Sequence, residues 1–230
     1  MGFASDFHAK DFFAAKKPPY SLLTKEQRSK FIQTVTEAAN APRINPLGAA
    51  VQVEAFNALS YGERRFLTGG IRAGHRFWTS GSPSRPWFLA FQFCIRQAAK
   101  LTKPGKTVNF IFDQQKEFAS LALAQFAEMK QMMLGPSERK KLGGCYFKPR
   151  GEFPALYLVD LLAHCGKAYA EGEGKESERI YALERLLIDK GEDIVLFNSS
   201  GLEKTLSHLP EDKREILRAD IGPSRRKGKD

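Results

Sequence analysis

The residues best placed for chemistry are two carboxylates in apolar surroundings. Asp113 closes VNFIFD, in which Val108, Phe110, Ile111 and Phe112 are apolar and favour a strand. Asp160 lies within LYLVDLLAH, an otherwise apolar helical run. A buried carboxylate without a partner is costly, so Asp160 must be ion-paired, hydrogen-bonded or metal-bound. Two carboxylates meeting at one sheet edge suit a divalent cation, Mg²⁺ or Mn²⁺. Such ions take oxygen ligands and activate water beside a phosphate. Glu117, four residues after Asp113, and His164, four residues after Asp160 and on the same helix face, are candidate supports. His8, in FHAKDF, is a further catalytic candidate.

Each of these residues has a plainer reading. Asp113 fits a helix N-cap at a strand–helix turn. Asp160 fits an ion pair with an Arg or Lys from the C-terminal part of the chain. Glu117 fits helix-surface contacts. His164 fits an interior histidine, because a lone imidazole carries little metal information. His8 fits a frayed chain end. Arg64, Arg65, Arg72, His75 and Arg76 lie in the basic stretch YGERRFLTGGIRAGHRF, which suits phosphate contact or plain solvation.

The elements that must position these groups follow from periodicity and breakers. Thr24 and Gln27 have capping-box spacing and predict a helix from there to about Asn40, stopped by Ala41-Pro42. Alternation at Val51, Gln52, Val53 and Glu54 predicts a strand over 49–59. Residues 60–84, rich in Gly, Ser and Arg, read as a long, partly mobile connection. WFLAFQFCIRQAAKLT is apolar almost all round and predicts a buried helix. Strand 108–112, a helix over about 115–133, strand 142–148 and a helix after Pro154 that ends at Gly172 come next. Further helices are predicted near 176–189 and 200–208. This alternation of strand and helix predicts an α/β sheet with helices packed on it.

Composition narrows the function classes. Hydrophobic residues at 42% and charged residues at 27% fit a globular chain, and 18 Phe support a substantial core. Lys and Arg number 36 against 26 Asp and Glu, a net charge of +10 that attracts a polyanion such as nucleic acid. The three cysteines form no CxxC pair, which argues against a structural zinc site and for reduced thiols in a cytoplasmic setting. No apolar run approaches a membrane span, and the start is not a secretory signal. Walker, GxSxG, HExxH and dinucleotide motifs do not occur.

FHAKDF (7–12), VNFIFDQQKE (108–117) and FPALYLVDLLAH (153–164), in this order, resemble the domain of unknown function 3800 family. The resemblance covers about residues 5–172 and implies a ribonuclease H-like fold, a mixed sheet flanked by helices, over 1–174. A helical appendage over 175–222 and a basic, disordered tail over 223–230 would follow. The resemblance further implies Asp113 and Asp160 as ligands of Mg²⁺ or Mn²⁺ in a nuclease that hydrolyses phosphodiesters. Two departures stand out. Tyr157 occupies a position where the family usually has Gln, and the Asp-rich first strand of the family does not precede FHAKDF. That strand supplies the central metal ligand of such sites. Its absence implies a fragment, a degenerate member or a sheet completed by a partner. The alternative to an enzyme is a non-catalytic module that binds nucleic acid or protein.

Overall fold

The computed structural model describes residues 7–39, 47–73, 76–79, 84–114, 117–133, 135–187 and 194–220. In chain order the elements are α1 (Ala9–Ala14), α2 (Lys25–Ala39), β1 (Gly48–Val51), α3 (Val53–Asn57), α4 (Tyr61–Leu67), β2 (Gly70–Ala73), β3 (Arg76–Thr79), α5 (Trp87–Leu101), β4 (Val108–Asp113) and α6 (Ala119–Glu128). The last of these continues as one π turn, Met129–Met133. Then follow α7 (Pro136–Arg139), β5 (Leu142–Lys148), α8 (Ala155–Ala170), α9 (Glu178–Leu187), β6 (Ile194–Phe197), α10 (Ser199–Leu206) and α11 (Glu211–Ala219). The chain is thus α/β, with helices flanking short strands. Among the described residues no helix is long and apolar enough to cross a membrane.

The strands pair as β1–β6, β2–β3 and β4–β5. Among the described residues these three pairs stand in place of the single mixed sheet expected from the sequence. The β4–β5 pair is parallel. Val108 N donates to Lys141 O at 2.8 Å at one end, and Gln114 N donates to Lys148 O at 3.0 Å at the other. The β2–β3 pair is an antiparallel hairpin with Arg72 opposite Phe77 and Ala73 opposite Arg76. The predicted strand 49–59 is cut at Val51, and α3 takes over from Val53. Phe56 becomes fully buried on that helix, an outcome that a short apolar alternation does not distinguish from a strand. The predicted connection 60–84 holds α4 and the hairpin instead. The Ser60–Glu63 capping box starts α4, with Glu63 N donating to Ser60 Oγ at 3.2 Å and Ser60 N donating to Glu63 Oε2 at 3.0 Å.

The chain forms two compact units. Residues 1–50, 110–115 and 146–195 make the first, and the rest make the second. The core of the first unit joins α1 and α2 to α8 and α9. Phe7, Phe12, Tyr20 and Ile32 are buried against Leu161 and Cys165 of α8 and Leu183 and Leu186 of α9. Phe12 and Phe31 lie ring to ring at 4.9 Å, and Phe7 meets Tyr157 edge-on at 6.1 Å. Two sequence devices set this frame. The Thr24–Gln27 capping box forms as predicted, with Gln27 N donating to Thr24 Oγ1 at 3.2 Å and Thr24 N to Gln27 Oε1 at 2.9 Å. Gly172, at φ +76°, closes α8 while Glu173 N donates to Ala168 O at 3.0 Å.

In the second unit α4 packs on α11, and α5 buries Phe88, Phe91 and Ile95, as its apolar circumference predicts. Gly62 makes the first of these contacts feasible. A Cβ there would lie 2.2 Å from Leu217 O, and the Gly62 N–H donates to Asp220 O at 3.2 Å. Residues 115–116 lie outside the described residues, and the regular helix begins at Ala119. On it Ala122, Phe126 and Met129 are buried while Leu121 is exposed. The helix α11 falls within the helical appendage expected over 175–222, beyond the individual helices read from the sequence, and the basic tail 223–230 lies outside the described residues.

A candidate carboxylate site closed by Arg150

The site is built by a turn. Lys148 ends β5, Pro149 cannot extend the ladder, and Arg150–Glu152 forms a single 3₁₀ turn before Pro154 opens α8. This short path, KPRGEFP, sets the Arg150 side chain between the end of β4 and the start of α8. Arg150 Nε donates to Asp113 Oδ2 at 2.7 Å, and Nη2 lies 2.6 Å from the same oxygen. Nη1 lies 3.0 Å from Asp160 Oδ2. Asp113 and Asp160 therefore meet at one guanidinium, where the sequence suggests a shared divalent cation.

Two plainer readings fail here. Asp113 caps no helix, because α6 begins at Ala119 with Phe118 in the cap position. Asp160 has the expected cationic partner, but it comes from the turn before α8 and not from the C-terminal part of the chain. Asp160 Oδ2 also accepts from Ala9 N at 2.8 Å. That bond satisfies a first-turn donor of α1, which has no side-chain cap of its own.

His8 joins the cluster through Arg150 Nη1, 2.8 Å from His8 Nδ1. A guanidinium carries only donors, so Nδ1 accepts and the imidazole proton sits on Nε2. The Asp113, Asp160 and Arg150 side chains keep 30%, 26% and 21% of their surface exposed. Burial works against the Arg150 charge, but the hydrogen bond and field of Asp113, with Asp160, outweigh it and hold its pKa above the ordinary value. Two carboxylates and one guanidinium leave one net negative charge. Among the described residues, Oδ1 of both aspartates makes no hydrogen bond, and no group of three or more His, Cys, Asp or Glu is assembled at metal-ligating spacing.

His164, one helical turn beyond Asp160, faces a different feature. Its ring stacks on Phe13 at 5.5 Å with 17° between planes. Together they line a cleft of about 550 Å³ with Lys10, Lys167, Glu173 and Arg179. Burial lowers the His164 pKa, and the Arg179 and Lys167 charges push the same way, against Asp160 and Glu173.

Glu117 is an exposed turn residue that pairs with Arg85, which is itself over the Phe118 ring at 5.5 Å. The basic residues divide. Arg64 and Arg65 lie on α4, and Arg65 pairs with Asp220 at 3.5 Å. Arg72 and Arg76 lie on the two strands of the hairpin, and His75 lies outside the described residues. Sequence reasoning missed Arg150. Its signal was a lone cation between two prolines, directly after a strand and directly before the helix that carries Asp160. Comparison with family models, curated proteins and solved structures finds no match for the chain.

Proposed function

We propose that Asp113 and Asp160 form a cation-binding carboxylate pair in a ribonuclease H-like domain related to the domain of unknown function 3800 family, acting on phosphodiester bonds of nucleic acid. The observation that carries this reading is the meeting of two carboxylates, one from a strand end and one from an apolar helix, at a single guanidinium. Both retain Oδ1 for a further ligand. Asp113 and Asp160 would hold Mg²⁺ or Mn²⁺, which supplies a polarised water at neutral pH. Arg150 then has two roles open to it. It offsets one of the pair's two charges while no cation is bound, and it offers a fork of donors to a phosphate oxygen when a cation takes its place. His8, with its proton on Nε2, is a donor beside the pair. The net charge of +10 draws a polyanion towards the domain, with salt-sensitive affinity. The free thiols suit a reducing, cytoplasmic setting.

The test is Mn²⁺ binding together with cleavage of single- and double-stranded DNA and RNA by the wild type, Asp113→Asn and Asp160→Asn. Loss of both properties in the variants supports the reading. Unchanged metal binding and cleavage sinks it.

One observation favours a second reading. Arg150 already compensates both carboxylates with good geometry, which is what a non-catalytic binding module would retain to hold β4, β5 and α8 together. Full nucleic-acid binding with no cleavage in any metal selects this reading.

A further inference from the structure

The cleft lined by α1, α8 and the start of α9 is separate from the carboxylate pair and carries the opposite charge. Its ionic partners can be followed one by one. Glu173 accepts from Ser177 Oγ and is held by Arg179 through Nε at 3.1 Å and Nη2 at 2.6 Å. This bidentate pair makes a rigid wall. Glu178 turns to Arg28, 3.7 Å away. Among the described residues Lys167 has one ion pair, the surface contact to Glu171 at 3.5 Å with both side chains mostly exposed, a weak class of pair. Lys10 has no ion-pair partner among the described residues. Two ammonium groups, one from α1 and one from α8, therefore line the cleft together with the stacked Phe13 and His164 rings. The volume, about 550 Å³, lies within the range of small-ligand clefts, roughly 300–1,000 Å³.

We propose that this cleft binds a phosphate monoester, with Lys10 and Lys167 matching its two negative charges, a His164 ring nitrogen hydrogen-bonding an ester or phosphate oxygen, and Phe13 bordering the organic group. The charge count sets the class. A monoester phosphate carries close to two charges at pH 7, whereas an internal phosphodiester carries one. The source is either a free mononucleotide or the 5′ end of an oligonucleotide, and the two share this group. Among the described residues none of its ligand-facing groups hydrogen-bonds or ion-pairs with Asp113, Asp160 or Arg150, although His164 lies one helical turn from Asp160 and feels its charge.

The experiment uses calorimetric titration of the full chain at low salt with inorganic phosphate, a 5′-mononucleotide, and a short oligonucleotide with and without its 5′-phosphate. Wild type and Lys10→Gln/Lys167→Gln are compared with Lys25→Gln/Lys30→Gln, two surface lysines away from the cleft. The expected result is binding of phosphate-terminated ligands that weakens roughly tenfold in the cleft variant and not in the control, with the cleft variant also less sensitive to salt. Both cleft lysines are exposed, so the fold should survive, and circular dichroism checks it. A preference for the mononucleotide assigns a free ligand, and a preference for the 5′-phosphorylated oligonucleotide assigns a strand end. The proposal is overturned if the 5′-phosphate adds nothing to oligonucleotide affinity, or if cleft and control variants bind alike. Cleavage lost in Asp113→Asn with phosphate binding intact separates this site from the carboxylate pair. Phosphate binding without any cleavage in the wild type does the same in the other direction.

Discussion

Arg150 directs two of its nitrogens, Nε at 2.7 Å and Nη2 at 2.6 Å, at one oxygen of Asp113. Among the described residues the second oxygen of that carboxylate makes no hydrogen bond, and the same holds for Asp160. The guanidinium thus engages Oδ2 of each carboxylate. A cation approaching the Oδ1 atoms meets the repulsion of a fixed positive charge a few ångströms away.

Replacing Arg150 with Gln keeps a donor and removes that charge. Mn²⁺ affinity should rise about tenfold, which corresponds to roughly 1.4 kcal/mol. Thermal stability without metal should fall, because Asp113 and Asp160 are left facing each other. Manganese titration followed by paramagnetic relaxation reads the first effect and differential scanning calorimetry the second. Unaltered metal affinity would show that Arg150 does not compete for the pair.

Ser60 supports α4 by three hydrogen bonds. It exchanges capping-box bonds with Glu63 and donates through Oγ to Leu217 O at 3.1 Å. Ser60→Ala should cost about 1 kcal/mol, the usual worth of an N-cap. For a chain of this size that is a drop of roughly 2–4 °C in Tm. Glu63 is 5% exposed and has Arg214 and Arg218 at 3.5 Å, so Glu63→Ala should be the more damaging change. Equal melting of all three proteins would mean that the cap and its ion pairs contribute nothing.

His164 gives stability a pH dependence of known sign. Its folded pKa is depressed below 6.5. Between the folded and unfolded values the unfolded chain binds more protons, so stability falls as pH drops through that window. Above the unfolded value the effect is absent. His164→Gln should match the wild type at pH 7.5 and lose less on going to pH 5. Urea midpoints at the two pH values provide the comparison, and parallel losses would refute the assignment.

Burial pushes the Cys94 and Cys145 thiols up to about 11 and Cys165 up to about 12. At pH 8 only about one thiol in a thousand is ionised at a pKa of 11. All three should react slowly with a disulfide reagent in the folded protein and promptly in urea. Fast modification of any one under native conditions would contradict this burial.

The sequence made some features legible because they were local. The Thr24–Gln27 box, strand 108–112 and the helix between Pro154 and Gly172 each follow from neighbours in the chain, and each forms, the last two as Val108–Asp113 and Ala155–Ala170. That Asp160 needs a partner was also legible, because an acid in an apolar run demands one. The identity of that partner was not. Arg150 is an ordinary surface residue by composition, and only the turn between Pro149 and Pro154 aims it. The stretch 60–84 misled for the opposite reason. Its glycines and arginines suggest a loop, while Ser60 and Glu63 supply enough capping to start a helix and β2 and β3 pair locally. Residues 49–59 hold an apolar pattern too short to choose between a strand and a helix, and tertiary burial of Phe56 made the choice.

The bond from Ala9 N to Asp160 Oδ2 joins residues 151 apart in the chain, and the first unit draws on residues 1–50 and 146–195. On the ribosome, Phe7, Phe12 and Ile32 emerge long before Leu161, Leu183 and Leu186, against which they are finally buried. At about 5–20 residues per second, that interval lasts roughly 8–30 s. Through that time the nascent chain carries an aromatic cluster with no lid, and α1 lacks the distant carboxylate that holds its first turn. Synthesis must pass Asp160 before the N-terminal segment has anywhere to settle. Early arrest of translation would therefore yield a chain that chaperones, and not the fold, keep from aggregating.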